Sequence, residues 1–190
     1  MNEQGYIAKD LSFGEEGRDK LISGITKISN AVKSTLGPRG NTVIIESPNH
    51  THGITVTKDG VTVAKSVDLF DPVENIAVRM MKQAANKTAS IAGDGTTTAI
   101  VLTEAIVKAG VEHITEDHNS TEVVRKIKTK VDDIIKSLTK KAKKVSDKKL
   151  LDVATISANN DKELGDIISK AYKEVGANGI VTVEKSQTSE

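Results

Sequence analysis

Between residues 15 and 36 the apolar positions Leu21, Ile22, Ile25, Ile28, Val32 and Leu36 recur at three- and four-residue steps, which predicts a helix with one buried face. Gly37-Pro38 stops it, glycine suiting a left-handed cap and proline being unable to continue a helix. Two short apolar runs follow, "NTVIIE" (41–46) and "GITVT" (53–57), around the polar "SPNHTH"; they predict a β-hairpin. "KDG" (58–60) reads as a further turn. Asp71-Pro72-Val73-Glu74 predicts the start of a long helix, with Asp71 as cap, Pro72 in the first helical position and Glu74 completing a capping-box-like pattern. Val73, Ile76, Ala77, Met80, Met81, Ala84 and Ala85 would form its buried face, and Gly93 its end. A second helix starts at the threonines after Gly95 and runs to about 116, with Ala99, Leu102, Ile106 and Ala109 on one face. A third spans Ser120 to Lys144 through Val123, Ile127, Val131, Ile134, Ile135 and Leu138. "IAKDLS" (7–12) alternates weakly enough for a short edge strand only.

Near residue 139 the pattern breaks. "TKKAKKVSDKK" is basic and almost without large apolar side chains, which marks a boundary. Beyond it come "LLDVATISA", a helix from Asp161 to Val175, and a strand at 180–184 that has no partner. A lone strand is not stable, so the second domain reads as incomplete.

The 190 residues suit one sizeable domain, or one and part of another. The only aromatic residues are Tyr6, Phe13, Phe70 and Tyr172, so the core must be aliphatic. A net charge of +1 gives no overall field toward nucleic acid or a membrane. There is no cysteine, hence no disulfide and no thiolate metal site. No signal peptide, transit peptide or membrane-length apolar run is visible, and a cytoplasmic location is expected. The basic run 140–149 lacks interleaved aromatics and is flanked by Asp132, Asp133, Asp147 and Asp152, so it reads as a solvated helix end and linker, not a nucleic-acid surface. His50 and His52 are spaced like two ligands on one strand, but without a third ligand a solvated loop is the better reading.

The candidate chemistry lies in "IAGDGTTTAI" (91–100). Gly93-Asp94-Gly95-Thr96-Thr97-Thr98 stands at a helix N-terminus, where free N–H groups and the dipole favour an anion. Gly95 lets the main chain approach a ligand, and the threonines add hydroxyls. Asp94 would repel phosphate unless a divalent cation lay between them; Mg²⁺ takes one or two carboxylates together with phosphate oxygens. The plain alternative is a helix–turn–helix in which Gly93 caps one helix and a threonine the next. It leaves Asp94 and two threonines without a role, but short glycine-rich motifs mislead often enough that local chemistry leaves both readings open. The segment is not a Walker A loop. "TLGPRG" (35–40) and "TKDG" (57–60) have a similar character, and each alone is an ordinary turn.

The blocks "AKDLSFGEEGRDKL", "TLGPRG", "ITVTKDGVTVAKSVDL", "AGDGTTTAIVL" and "VATISANNDKELGDIISKA…VGANGIVTVE" occur in this order. Together they resemble the group I chaperonins, the GroEL type, from about Ala8 to Glu184. The resemblance implies a mainly α fold with a small β-hairpin: residues 1–140 as the first half of an equatorial ATPase domain, and 141–190 as the first half of an α+β intermediate domain. The apical domain, the remaining halves and an aspartate that acts on water would lie outside this chain, which the unpaired strand also suggests. It further implies an ATP-driven protein-folding subunit, assembled with copies of itself in seven-membered rings and acting with Mg²⁺ and K⁺ on unfolded proteins, with a co-chaperonin. The alternative is a nucleotide-binding or assembly module without the folding cycle. Residue by residue, Asp94 would bind Mg²⁺, and Gly95, Thr96, Thr97 and Thr98 the phosphates. Thr35, Leu36, Gly37 and Pro38 would form the opposite wall. Thr35 and Lys58 would lend main-chain oxygens to K⁺, with Thr97 near that ion. Asp59 would help set up the attacking water, Gly60 would allow the turn, and Ile156 and Ser157 would sit near the nucleotide at a hinge. The hairpin loop "SPNHTHG" is longer than the family's, where this hairpin reaches a neighbouring subunit.

Overall fold

A computed structural model describes residues 10–37, 39–46, 53–115, 117–176 and 179–184. Pro38, His50 and His52 lie outside the described residues. The fold is mainly α with one two-stranded antiparallel hairpin. The chain forms two units, residues 1–120 and 121–190. This division falls one helix before the compositional break at 139.

In the first unit, α1 (Gly14–Lys33) ends four residues ahead of Gly37, which does adopt the left-handed conformation. Strands β1 (Val43–Glu46) and β2 (Ile54–Thr57) pair in the register Val43↔Thr57 through Glu46↔Ile54. Val43, Ile45, Thr55 and Thr57 share the half-buried face, and Ile44 and Val56 the exposed one. Helix α2 (Gly60–Ser66) follows directly. It is absent from the hydropathy pattern, because "VTVAK" carries β-branched residues. Helix α3 (Pro72–Ala92) begins as expected: Asp71 accepts from the N–H groups of Val73 (2.8 Å) and Glu74 (3.0 Å). Glu74, however, completes no capping box. Its carboxylate takes Lys27 Nζ at 2.6 Å and Ser23 Oγ at 2.7 Å, tying α3 to α1. Left-handed Gly93 ends α3 as expected, and α4 (Thr96–His113) follows.

The core lies among α1, α2, α3 and α4, from Ile28, Val32, Val63, Ala64, Val78, Met81, Ala85 and Ile100. Each large aliphatic side chain buried there contributes about 1.5–3 kcal/mol. The faces are rotated from the expected ones. In α3 the buried positions are Ala77, Val78, Met81 and Ala85, with Ile76 and Met80 exposed. In α4 they are Thr96, Ile100 and Glu104, while Leu102 and Ile106 stand in solvent.

In the second unit, α5 (Ser120–Lys141) buries none of its residues. Helices α6 (Asp147–Ser157) and α7 (Lys162–Val175) pack against each other. They cross so closely at Gly165 that an added Cβ would stand 2.7 Å from Thr155 Cα. Asp161 caps α7 through the N–H groups of Glu163 and Leu164, both at 3.0 Å. Of the expected outlying strand at 7–12, residues 7–9 lie outside the described residues and 10–12 have no regular structure; 180–184 have none either, and the sheet of the described residues pairs β1 with β2 alone. Among the described residues no helix is long and apolar enough to cross a membrane.

Candidate nucleotide site

Three of the segments singled out in the sequence meet in the first unit, and Gly60 marks where. A Cβ on Gly60 would land on Thr97 Oγ1 and lie 3.2 Å from Thr35 Oγ1. The C-terminal end of α1, the start of α2 and the start of α4 are thus in contact at one point, across 62 residues of sequence between Thr35 and Thr97. Gly60 is buried and its φ is not left-handed, so what this position requires is the absence of a side chain. That is a closer approach than a turn alone would demand.

Each segment is held by its own local chemistry. At the end of α1 the Val32 carbonyl accepts from Thr35 N (3.0 Å) and Thr35 Oγ1 (2.8 Å), and the Lys33 carbonyl accepts from Leu36 N (3.1 Å). The Gly40 N–H donates to Gly37 O at 2.9 Å and closes the turn. After β2, Asp59 caps α2. One carboxylate oxygen accepts from Val61 N (3.2 Å), the other from Thr62 N (2.9 Å) and Thr62 Oγ1 (2.6 Å). Burial alone would push the Asp59 carboxyl up. The Thr62 hydroxyl, the two main-chain N–H donors and nearby Lys65 outweigh it, and hold the carboxyl below the usual aspartate range. Asp59 is therefore ionised at neutral pH, and most of its acceptor capacity serves the helix cap. Lys58 is exposed beside it.

At the third segment both Gly93 and Gly95 are left-handed, and no side chain caps α4. Ala99 N donates to Gly95 O, the first helical bond, so the N–H groups of Thr96, Thr97 and Thr98 stay free for an anion. Thr96 is buried, Thr97 half-buried against Gly60, and Thr98 exposed. Asp94 is exposed and accepts from Gly95 N at 2.6 Å. A lone carboxylate beside free N–H groups and hydroxyls is the donor set that a phosphate-bound Mg²⁺ completes; the residues present fit such an ion.

Ile156 and Ser157 end α6 in the second unit, both exposed. Pattern reading passed over Glu104. It is 3% exposed, pairs with Lys108 Nζ at 2.7 Å within α4, and pairs with Lys33 Nζ at the end of α1. Burial pushes its carboxyl up, but the hydrogen bonds from Lys108 and Lys33 outweigh this and leave it below the usual glutamate range. The available signal was an acid at a position, four residues after Ile100, that falls on the buried face.

Residues 28–189 match the TCP-1/cpn60 chaperonin family. The chain belongs to this family. It is 44% identical over 184 residues to a protein named chaperonin GroEL from Methanospirillum hungatei, covering 96% of this chain and 34% of that protein. Among solved structures it is similar to the chaperonin gp146 from the bacteriophage EL 2 (Pseudomonas aeruginosa), crystallised in the presence of ATP-BeFx. There the identity is 30% and the TM-score 0.75, over 87% of this chain and 29% of that one. A group III chaperonin in the open state is similar at 27% identity and a TM-score of 0.67, over 84% of this chain and 32% of that one. The chain thus spans about a third of the length of these relatives. The chaperonin resemblance and the mainly α architecture expected from the sequence both stand.

Proposed function

We propose that this chaperonin chain supplies one side of an ATP site, and that the whole protein uses ATP turnover to fold other proteins. The observation that carries this is the meeting of Thr35, Gly60 and Thr97, which joins three phosphate-type turns at one point. The presence of ATP-BeFx with the related gp146 supports it.

In this reading the uncapped α4 N-terminus and the hydroxyls of Thr96, Thr97 and Thr98 receive the phosphates. Thr35, Leu36, Gly37 and Pro38 form the facing wall. Asp94 would hold Mg²⁺, which when bound screens the phosphate charge and acts as a Lewis acid on the transferring group. The main-chain oxygens of Thr35 and Lys58 would serve K⁺. Hydrolysis forms a bond from a water oxygen to the γ-phosphorus, breaks the bond to the β-phosphate oxygen and releases a proton. Asp59 remains ionised and locked by Thr62, so it acts as a fixed negative group orienting water, and the stronger base would come from the rest of the protein. Assembly into seven-membered rings, a cytoplasmic location, unfolded client proteins and a co-chaperonin belong to the same proposal.

The test is refolding of a chemically denatured client enzyme by the full-length protein. ATP should raise the yield of active client above that with no nucleotide, and a non-hydrolysable ATP analogue should not. ATP hydrolysis without any gain in yield would contradict the folding role and favour a module that keeps the site but lacks the cycle.

A further inference from the structure

Among the described residues Glu104 is the one buried acid of the first unit, and its two lysine partners differ in what they connect. Lys108 lies one turn further along the same helix. Lys33 is the last residue of α1, so its bond to Glu104 ties two helices together. Both ends of that tie lead to the candidate site. On α4, Glu104 stands seven residues after Thr97, about two turns along the same face. On α1, the main chain of Lys33 itself holds the facing wall: its carbonyl accepts from Leu36 N at 3.1 Å, and the adjacent Val32 carbonyl accepts both Thr35 N and Thr35 Oγ1. Val32 is fully buried, so this last turn of α1 has a fixed inner side and a charged tether on its other side.

We propose that Glu104 and Lys33 are positioning residues for nucleotide: their ion pair sets the distance between the Thr35–Leu36 wall and the phosphate-binding start of α4. This inference rests on the ATP reading given above. A buried carboxylate needs positive partners in any fold. Stability alone would be served by Lys108, which brings no second helix. The pair to Lys33 adds a constraint between two elements that must face each other across a bound polyphosphate. A site held within about half an ångström needs such support behind the residues that touch the ligand.

The two lysines allow the positioning role to be separated from stability. Both are partly exposed, 40% for Lys33 and 45% for Lys108, so neither substitution by methionine should prevent folding. In the full-length protein with Mg²⁺ and ATP, Lys33→Met should raise the ATP concentration for half-maximal turnover by roughly tenfold, with kcat at saturation within about twofold of wild type. Glu104→Gln should act in the same direction. Lys33→Arg, which keeps the charge and the pairing, should restore the wild-type value. Lys108→Met should leave ATP half-saturation unchanged even where it lowers the melting temperature. Lys33→Met without effect on half-saturation, or Lys108→Met shifting it equally, would overturn the inference, since the cluster would then serve stability only. If the wild-type protein itself fails to bind ATP, the nucleotide reading falls and takes this inference with it. Wild-type binding together with unresponsive variants defeats this inference alone.

Discussion

Asp94→Ala in the full-length protein is expected to reduce ATP turnover about a hundredfold or more, corresponding to roughly 2.7 kcal/mol of lost transition-state stabilisation. The loss is one of charge. The phosphate-binding start of α4 offers free N–H groups and hydroxyls, which suffice for binding an anion. Of the residues there, only Asp94 can hold a cation against the phosphates. The fold should tolerate the change, because Asp94 is exposed and its carboxylate accepts only from the adjacent Gly95 N–H. That local bond could itself be suspected of shaping the turn. Asp94→Asn separates the two effects: the amide oxygen can still accept from Gly95, but the charge is gone. Both variants should therefore lose turnover to a similar degree while unfolding near the wild-type temperature. Phosphate release close to wild type in either would remove Asp94 from the metal role.

Gly60→Ala is the second large effect. The methyl group would occupy the position of Thr97 Oγ1 and sit 3.3 Å from Thr97 Cβ. Since the Gly60 φ is not left-handed, alanine is not strained on its own main chain, and the whole cost is steric. Helix α2 cannot back away freely, because Val63 and Ala64 on its inner side are 1% exposed in the core. Overpacking of this kind costs about 1–3 kcal/mol. The melting temperature should fall, and ATP affinity should fall at least about tenfold, since the displaced side chain belongs to the phosphate-binding turn. Adding Thr97→Ala removes the clashing hydroxyl. The double variant should regain most of the lost stability but not the affinity, a non-additivity expected of residues in contact. Wild-type melting and affinity in Gly60→Ala, followed by thermal unfolding and titration calorimetry, would show that the three segments do not pack as described.

How far the sequence carried the fold follows from where the deciding forces lie. Asp71-Pro72 and Asp161 announce α3 and α7 because a helix cap is a contact between residues two or three apart. The hairpin was legible for the same reason. Helix α2 was not: Val61, Thr62 and Val63 favour a strand by propensity, and burial of Val63 and Ala64 together with the Asp59 cap overrides that preference. The buried face of α4 was misread because Glu104 looks like a solvent residue until Lys33, 71 positions earlier, is placed beside it. The expected strand at 180–184 failed because a strand needs a partner that these described residues do not supply. At the site, the glycines and threonines were individually visible as turn chemistry. Their meeting at Gly60 was not, since periodicity carries no information about which turns touch.

The central claim is that the turns at 35–38, 58–60 and 94–98 form one side of a single ATP site. The most direct measurement is a structure of the full-length protein solved with Mg²⁺ and ADP-BeFx. The account predicts the phosphates against Gly95, Thr96, Thr97 and Thr98, the metal on Asp94, and the Thr35–Gly37 turn on the opposite side of the phosphates. Nucleotide bound elsewhere on the protein, or phosphates held without contact to the start of α4, would contradict it.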